Sequence, residues 1–309
     1  MTATVRDMLT GEEKYVRSGR VRLWTERFGS PDDPTVLLVM GTSTQAIGWP
    51  DELVEALVNS GRQVIRFDHR DTGRSDSVDF ATHPYALADM AADTAAVLDG
   101  HGVTAAHIVG TSLGAAIGQW LAVHQAVRVR TLTAMASSPM GNDPGPAWAR
   151  AMAGHPAAAD QLPPPTARFL DHLMASAKAP RTTAQQRMDA DVQTWRVLNG
   201  DVLPFDEAAA RRFVEHCHAR ADNVAAASNH DLAGRRWDDD RRASLSRITA
   251  ATLVLHGSDD PLFPRAHGEA LAAQIPAARL EMVPGMGHHP FFSPGLTERI
   301  AASIVRHTT

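Results

Sequence analysis

Cysteine is all but missing from this sequence. Cys217 is the only one in 309 residues, so no intramolecular disulfide can form, and a reducing cytoplasm suits such a composition. An excess of positive charge is missing too. Thirty Lys and Arg stand against 35 Asp and Glu, a net charge of −5, without the basic footprint that nucleic acid or an anionic membrane surface requires. No apolar run approaches the roughly 20 residues of a membrane span. The opening stretch MTATVRDMLTGEEKYVRSGR has no apolar core of a signal peptide. Metal and nucleotide signatures are also lacking. The 15 histidines include no His-Glu-x-x-His pair, and His216 and His218, two apart on an expected helix, point to different faces. No G-x-G-x-x-G follows a strand and no Walker motif occurs. These absences predict a soluble cytoplasmic protein with no cofactor, no metal, no nucleic-acid partner and no membrane partner. A monomer or homodimer is the remaining expectation.

Apolar residues are plentiful, at 44%, enough to bury a substantial core in one domain at the upper edge of the usual size range. Short apolar runs that read as buried strands alternate with helical patterns. TVLLVMG (Thr35 to Gly41), RQVIRFDHR (Arg62 to Arg70), AHIVG and RTLTAMAS (Arg130 to Ser137) are the strands of the first half. Helices are expected over Trp49 to Gly61, Leu87 to Gly102 and Ser112 to about Gln125. That order implies right-handed βαβ units and a mostly parallel sheet with helices on both faces, an α/β fold. From 138 to 245 the pattern changes. Prolines crowd GNDPGP and QLPPPTARF, no strand-like run occurs, and RRWDDDRRASL (Arg235 to Leu245) reads as a solvated, charge-dense connector. Strand periodicity returns in ATLVLHGSDD (Ala251 to Asp260) and ARLEMVPG, with a helix between them and another closing the chain. The expected organisation is a core of 1–137 and 246–309 with an inserted helical cap, or lid, of 138–245.

Chemistry concentrates at strand ends. Gly110-Thr111-Ser112-Leu113-Gly114 fits G-x-S-x-G, the strand-to-helix turn of a nucleophile elbow. The pattern alone recurs by chance in roughly one chain of this length in ten, and its bland reading is a glycine-rich turn. A serine nucleophile needs a base and a group that orients the base. In this architecture an acid should follow a later strand and a histidine should follow the acid. Asp259-Asp260-Pro261 ends one late strand and His288-His289 ends the next, in the loops where open α/β sheets build their sites. Order and register together are far rarer than the elbow alone.

RLWTERFGSP, LLVMGTSTQAIGWPDE, VIRFDHRDTGRSDSVDFATHPY, the elbow, the Asp-Pro turn and VPGMGH together resemble the α/β-hydrolase superfamily, and within it the bacterial anthracycline (aclacinomycin-type) methyl esterases. The likeness covers the core on both sides of the cap and thins within it. It implies an α/β-hydrolase fold and a carboxylic-ester hydrolase working on a small-molecule ester substrate through an acyl-enzyme, with Ser112 as nucleophile, Asp260 as acid and His288 as base. Methyl-ester cleavage of an apolar, aromatic polyketide of secondary metabolism is the activity it implies, and substrate choice lives in the cap. Carbon–carbon bond hydrolysis, lactone hydrolysis or peracid formation on the same triad, or ligand binding without catalysis, are the rival readings. Aspartate-elbow relatives, the epoxide hydrolases and haloalkane dehalogenases, are disfavoured by Ser112. Oxyanion donors are expected at the Leu113 and Thr42 N–H groups; Met40 stands where the superfamily usually carries His. Asp259 and His289 are the alternatives to their neighbours. Asp71, in place of a frequent glycine, is read as structural. Trp49 and Trp195 are the candidates for lining the pocket, and Trp148, Phe169, Phe205, Phe213 and Trp237 are further cap aromatics.

Overall fold

The computed structural model describes residues 10–179, 181–236 and 244–309. One eight-stranded sheet runs through it, formed by β1 (Glu12–Ser18), β2 (Val21–Phe28), β3 (Thr35–Val39), β4 (Gln63–Phe67), β5 (Ala106–Thr111), β6 (Val129–Met135), β7 (Ala251–Gly257) and β8 (Arg279–Val283). The spatial order is β1-β2-β4-β3-β5-β6-β7-β8. β1 pairs antiparallel with β2, β2 pairs antiparallel with β4, and every other pair is parallel. All residues of β3, β4 and β5 are buried. Strands covered on both faces read as apolar runs, as TVLLV of β3 does; in β4 the buried Arg66 is paired with Glu26 and Asp51.

Helices cover both faces. α1 (Asp51–Asn59) and α10 (Leu296–His307) pack together on one side, contributing Leu53, Leu57, Ile300 and Ile304 to a core shared with Val36, Leu38 and Leu253. On the other side, α2 (Leu87–Gly100), α3 (Leu113–His124) and α9 (Ala266–Gln274) place Met90, Leu98, Ile117, Leu121 and Leu271 against Leu37, Ile65 and Ile108. This is the α/β-hydrolase architecture.

Between β6 and β7 the described residues form no strand. They form α4 (Gly145–Met152), α5 (Ala167–Lys178), α6 (Ala184–Leu198), α7 (Glu207–Arg220) and the short α8 (Asn229–Gly234). Capping side chains start three of them: Thr166 accepts from Phe169 N, Thr183 from Gln186 N and Asp206 from Ala209 N. Each satisfies one of the amide groups that a helix start leaves without a partner. Most of the charged connector, and Trp237 within it, fall on 237–243, outside the described residues. No described helix is long and apolar enough to cross a membrane.

Candidate active site

Ser112 sits at the break between β5 and α3, with φ 52° and ψ −117°. A non-glycine residue holds such a conformation only where its surroundings enforce it. Its N–H donates to Met135 O at 2.9 Å and its carbonyl accepts from Ala115 and Ala116 N–H and from Ser137 Oγ. The flanking glycines are required by packing. A β-carbon on Gly110 would collide with the Gly114 carbonyl, and one on Gly114 with the Val39 carbonyl. The elbow therefore presses against the loop after β3. A β-carbon on Gly41 would lie 3.3 Å from that of Ser112, so the Gly41–Thr42 turn adjoins the serine. Leu113, the first residue of α3, has an amide with no acceptor inside the helix. Both expected oxyanion donors are thus beside Ser112.

Asp260 and His288 come together as the sequence order suggested. His288 Nδ1 lies 2.9 Å from Asp260 Oδ2, and the other carboxylate oxygen accepts from Leu262 N at 2.9 Å and Phe263 N at 2.8 Å. Burial acts to raise the Asp260 pKa; the His288 charge and hydrogen bond, the His256 charge and a backbone amide outweigh it and hold the group below its ordinary value. An ionised Asp260 only accepts, so the neutral imidazole carries its proton on Nδ1 and Nε2 is the basic nitrogen. His256, which the sequence reading passed over, touches the same carboxylate: its Nε2 donates to Phe263 O at 2.7 Å and lies 3.7 Å from Asp260 Oδ2. Its position in the strand end LVLHG, four residues before the acid, was the available signal.

The neighbouring alternatives lie elsewhere. Asp259 Oδ2 accepts from the Asp201 and Val202 amides and holds the turn between α6 and α7. His289 turns into an aromatic cluster, 4.4 Å from the Trp195 ring centroid and 4.9 Å from that of Phe292. Burial, then the charge of His288, pushes it down to about 3. Asp71 has φ 68° and receives hydrogen bonds from Val78 N and the Tyr85 hydroxyl, each at 2.6 Å.

A cavity of about 440 Å3 opens between the 42–45 and 71–73 loops and α6, α7 and residues 221–228. Thr42, Trp195, Leu198, Phe213 and Val214 line it, with Arg181, Arg187, Asp191 and His218 among its polar residues. Ser112 and His288 do not line it. Thr42 joins it to the elbow, and Leu198, whose carbonyl accepts from His288 N at 2.7 Å, joins it to the histidine loop. Trp195 is among the residues lining this cavity. Trp49 is not: it is fully buried in the core under α1, its ring 5.6 Å from Phe291. The apolar demand of the α1–α10 layer takes it instead. Of the other cap aromatics, Trp148 packs on Phe169 and Phe205 on Phe292, while Phe213 reaches the cavity.

Comparison with known proteins gives matches over most of the chain. A family profile described as the alpha/beta hydrolase fold matches residues 34–294. Rhodomycin D methylesterase DnrP of Streptomyces peucetius is 40% identical over 295 residues, covering 96% of this chain and 97% of its own length. A putative carbamate hydrolase, RutD of Variovorax paradoxus (strain S110), is 31% identical over 85% of this chain and 88% of its own. Among solved structures, the 2-hydroxy-6-oxo-6-phenylhexa-2,4-dienoate hydrolase of Rhodococcus sp. strain RHA1 superposes with a TM-score of 0.74 at 16% identity, covering 97% of this chain and 99% of its own. That last likeness concerns the fold alone.

Proposed function

The chain belongs to the α/β-hydrolase fold family, and from that premise we propose that it is a carboxylic-ester hydrolase cleaving the methyl ester of an apolar, polycyclic aromatic substrate through an acyl-enzyme on Ser112. The observation that carries the reading is the Asp260–His288 pair at 2.9 Å, on adjacent strand-end loops of a sheet whose elbow presents Ser112 in an enforced conformation. The methylesterase relatives, at 40% and 39% identity over 96% of the chain, support the ester class. The Trp195 and Phe213 lining of the cavity supports an aromatic substrate, held against the helical lid of 138–245.

In this reading His288 Nε2 takes the Ser112 hydroxyl proton as Oγ attacks the ester carbonyl carbon. Asp260 keeps the imidazole in the tautomer that can accept it and stabilises the imidazolium that results. The carbonyl oxygen becomes an oxyanion held by the Thr42 and Leu113 N–H groups, each such donor supplying about 3–4 kcal/mol of transition-state stabilisation. Collapse breaks the C–O bond to the alkoxide, which leaves as methanol with the proton from His288. Water then attacks the acyl-enzyme with His288 again as base, releasing the acid and restoring Ser112. A panel of methyl, acetyl and long-chain esters, assayed with wild type and Ser112→Ala, tests the reading. Turnover of an aromatic methyl ester that vanishes in the variant is expected, and equal turnover in both proteins overturns it.

A further inference from the structure

The loop that carries Thr42 is gripped by two histidines, and one of them belongs to the lid. His69, after β4, donates from Nε2 to the Met40 carbonyl at 3.0 Å. His230, in α8, accepts the Ser43 N–H on Nδ1 at 2.9 Å and donates from Nε2 to the Arg70 carbonyl at 2.8 Å. The two rings meet edge to face with centroids 5.8 Å apart. The Gly41–Thr42 peptide, beside the elbow, is thus bounded by one anchored peptide on each side.

Further bonds tie the same loop to the lid. Ser43 Oγ donates to the Ala227 carbonyl at 2.7 Å, and Gln45 both donates to the Cys217 carbonyl at 2.8 Å and accepts from Arg220 Nη1 at 2.9 Å. Ser43 itself has φ 57°, a conformation L side chains adopt only when held. A trans peptide points its N–H opposite to its C=O. The Gly41 carbonyl accepts from Thr44 N at 3.3 Å, so the direction of the Thr42 N–H follows from how the turn through Ser43 is pinned.

We propose that His230 is a positioning residue for ester hydrolysis: from the lid, it fixes the Thr42–Ser43 peptide and thereby aims the Thr42 N–H at the developing oxyanion. This rests on the reading of Thr42 as an oxyanion donor. The chemistry of the ring fits the task. The Arg70 carbonyl accepts only a proton, which places hydrogen on Nε2 and leaves the Nδ1 lone pair for Ser43. Burial lowers the His230 pKa and keeps the ring in that neutral form.

The two nitrogens can be tested separately. In His230→Asn the amide oxygen can take the place of Nδ1 and still accept from Ser43, whereas in His230→Gln the amide group reaches the Nε2 position and can serve only Arg70. His230→Ala and His230→Gln should lower kcat for p-nitrophenyl acetate on the order of 10- to 100-fold with KM changed by no more than about threefold. His230→Asn should recover most of that loss at a melting temperature close to that of the Gln variant. Equal loss in Asn and Gln, or loss that tracks melting temperature alone, overturns the positioning role. So does unchanged kcat in the Ala variant while an organophosphorus reagent still labels Ser112. Activity surviving in Ser112→Ala would instead overturn the underlying reading of the site.

Discussion

Replacing Asp260 by Asn should disable the enzyme while leaving it folded, and the structure says how. One carboxylate oxygen accepts two backbone amides, from Leu262 at 2.9 Å and Phe263 at 2.8 Å; the other faces His288 Nδ1 at 2.9 Å. An asparagine has one oxygen to offer. Turned so that its NH2 meets the two amides, it would leave two buried donors unsatisfied, at about 1–3 kcal/mol each. Turned the other way it keeps both bonds and presents its NH2 to His288. The second arrangement wins, and it compels Nδ1 to accept and Nε2 to carry the proton. A ring protonated on Nε2 cannot take the proton of Ser112.

Forcing the wrong tautomer in a triad of this kind costs about 10⁴ in kcat, close to 5.4 kcal/mol at 1.36 per tenfold. Steady-state kinetics on p-nitrophenyl acetate should show that fall with circular dichroism and melting temperature nearly unchanged. Asp259→Asn is the control, since its amide oxygen can still accept from Asp201 and Val202; its kcat should stay within about twofold of wild type. A kcat for Asp260→Asn within about tenfold of wild type, or an equal loss in the Asp259 variant, would refute the assignment of the acid.

Ser112→Ala should abolish turnover and labelling by a serine-directed organophosphorus reagent. Ser112→Gly should be equally inactive yet more stable by about 1 kcal/mol, because glycine adopts φ 52° without strain; a destabilised glycine variant would show that the elbow is unstrained. His69 and His289 are each pushed down to about 3, chiefly by burial, whereas in the unfolded chain both titrate near 6.5. Below 6.5 the unfolded state therefore binds protons that the folded state refuses, so stability falls as pH drops from 6.5 toward 3. Each site removes about 2 kcal/mol between pH 7 and 5. Urea unfolding at the two pH values measures this, His289→Phe should flatten the slope, and an identical slope in that variant would contradict it. Trp195→Ala should raise KM for a polycyclic methyl ester on the order of tenfold and for p-nitrophenyl acetate about twofold; equal shifts would remove the cavity from substrate binding.

The parallel part of the sheet was legible in the sequence because burial on both faces leaves short apolar, β-branched runs between helical patterns, as in TVLLV. The β1–β2 hairpin was not. Only Val16 is buried in β1, and Tyr15 is half exposed, so an edge strand written in Glu, Lys and Arg read only as a polar, charged opening stretch. Within the candidate site, the proposed roles of Ser112, Asp260 and His288 could be drawn from the sequence because such chemistry is tied to strand ends and to an order along the chain. Trp49 was misplaced because a tryptophan beside a helix start serves core and pocket alike, and only the packing of α1 against α10 decides between them. His230 and Arg220 gave no local sign. Their partners Ser43 and Asp68 lie 187 and 152 residues away, and no spacing rule reaches across a fold.

Those distant contacts join the helical segment between β6 and β7 to the rest of the fold. The loops bearing Asp260, His288 and Thr42 are each bonded to the helical segment. The Leu198 carbonyl accepts from His288 N, and Thr166 N donates to Pro261 O beside the acid. The Gly200 turn closes over Asp259, and Gly287 lies so close to the Asn199 carbonyl that a β-carbon there would collide with it. On the opposite side, Arg220 Nη1 meets Asp68 Oδ2 at 2.6 Å, both side chains buried, while the other Asp68 oxygen accepts from Ala46 N in the Thr42 loop. Removing one partner of a buried ion pair typically costs about 3–5 kcal/mol, because the other charge is left uncompensated. A helical segment bonded to these loops at so many points is not one that can be exchanged without consequence for them. Helices α6 and α7 line the cavity and are bonded to the loops of the proposed catalytic groups, so on the proposed function substitutions along them should register in kcat as well as in KM.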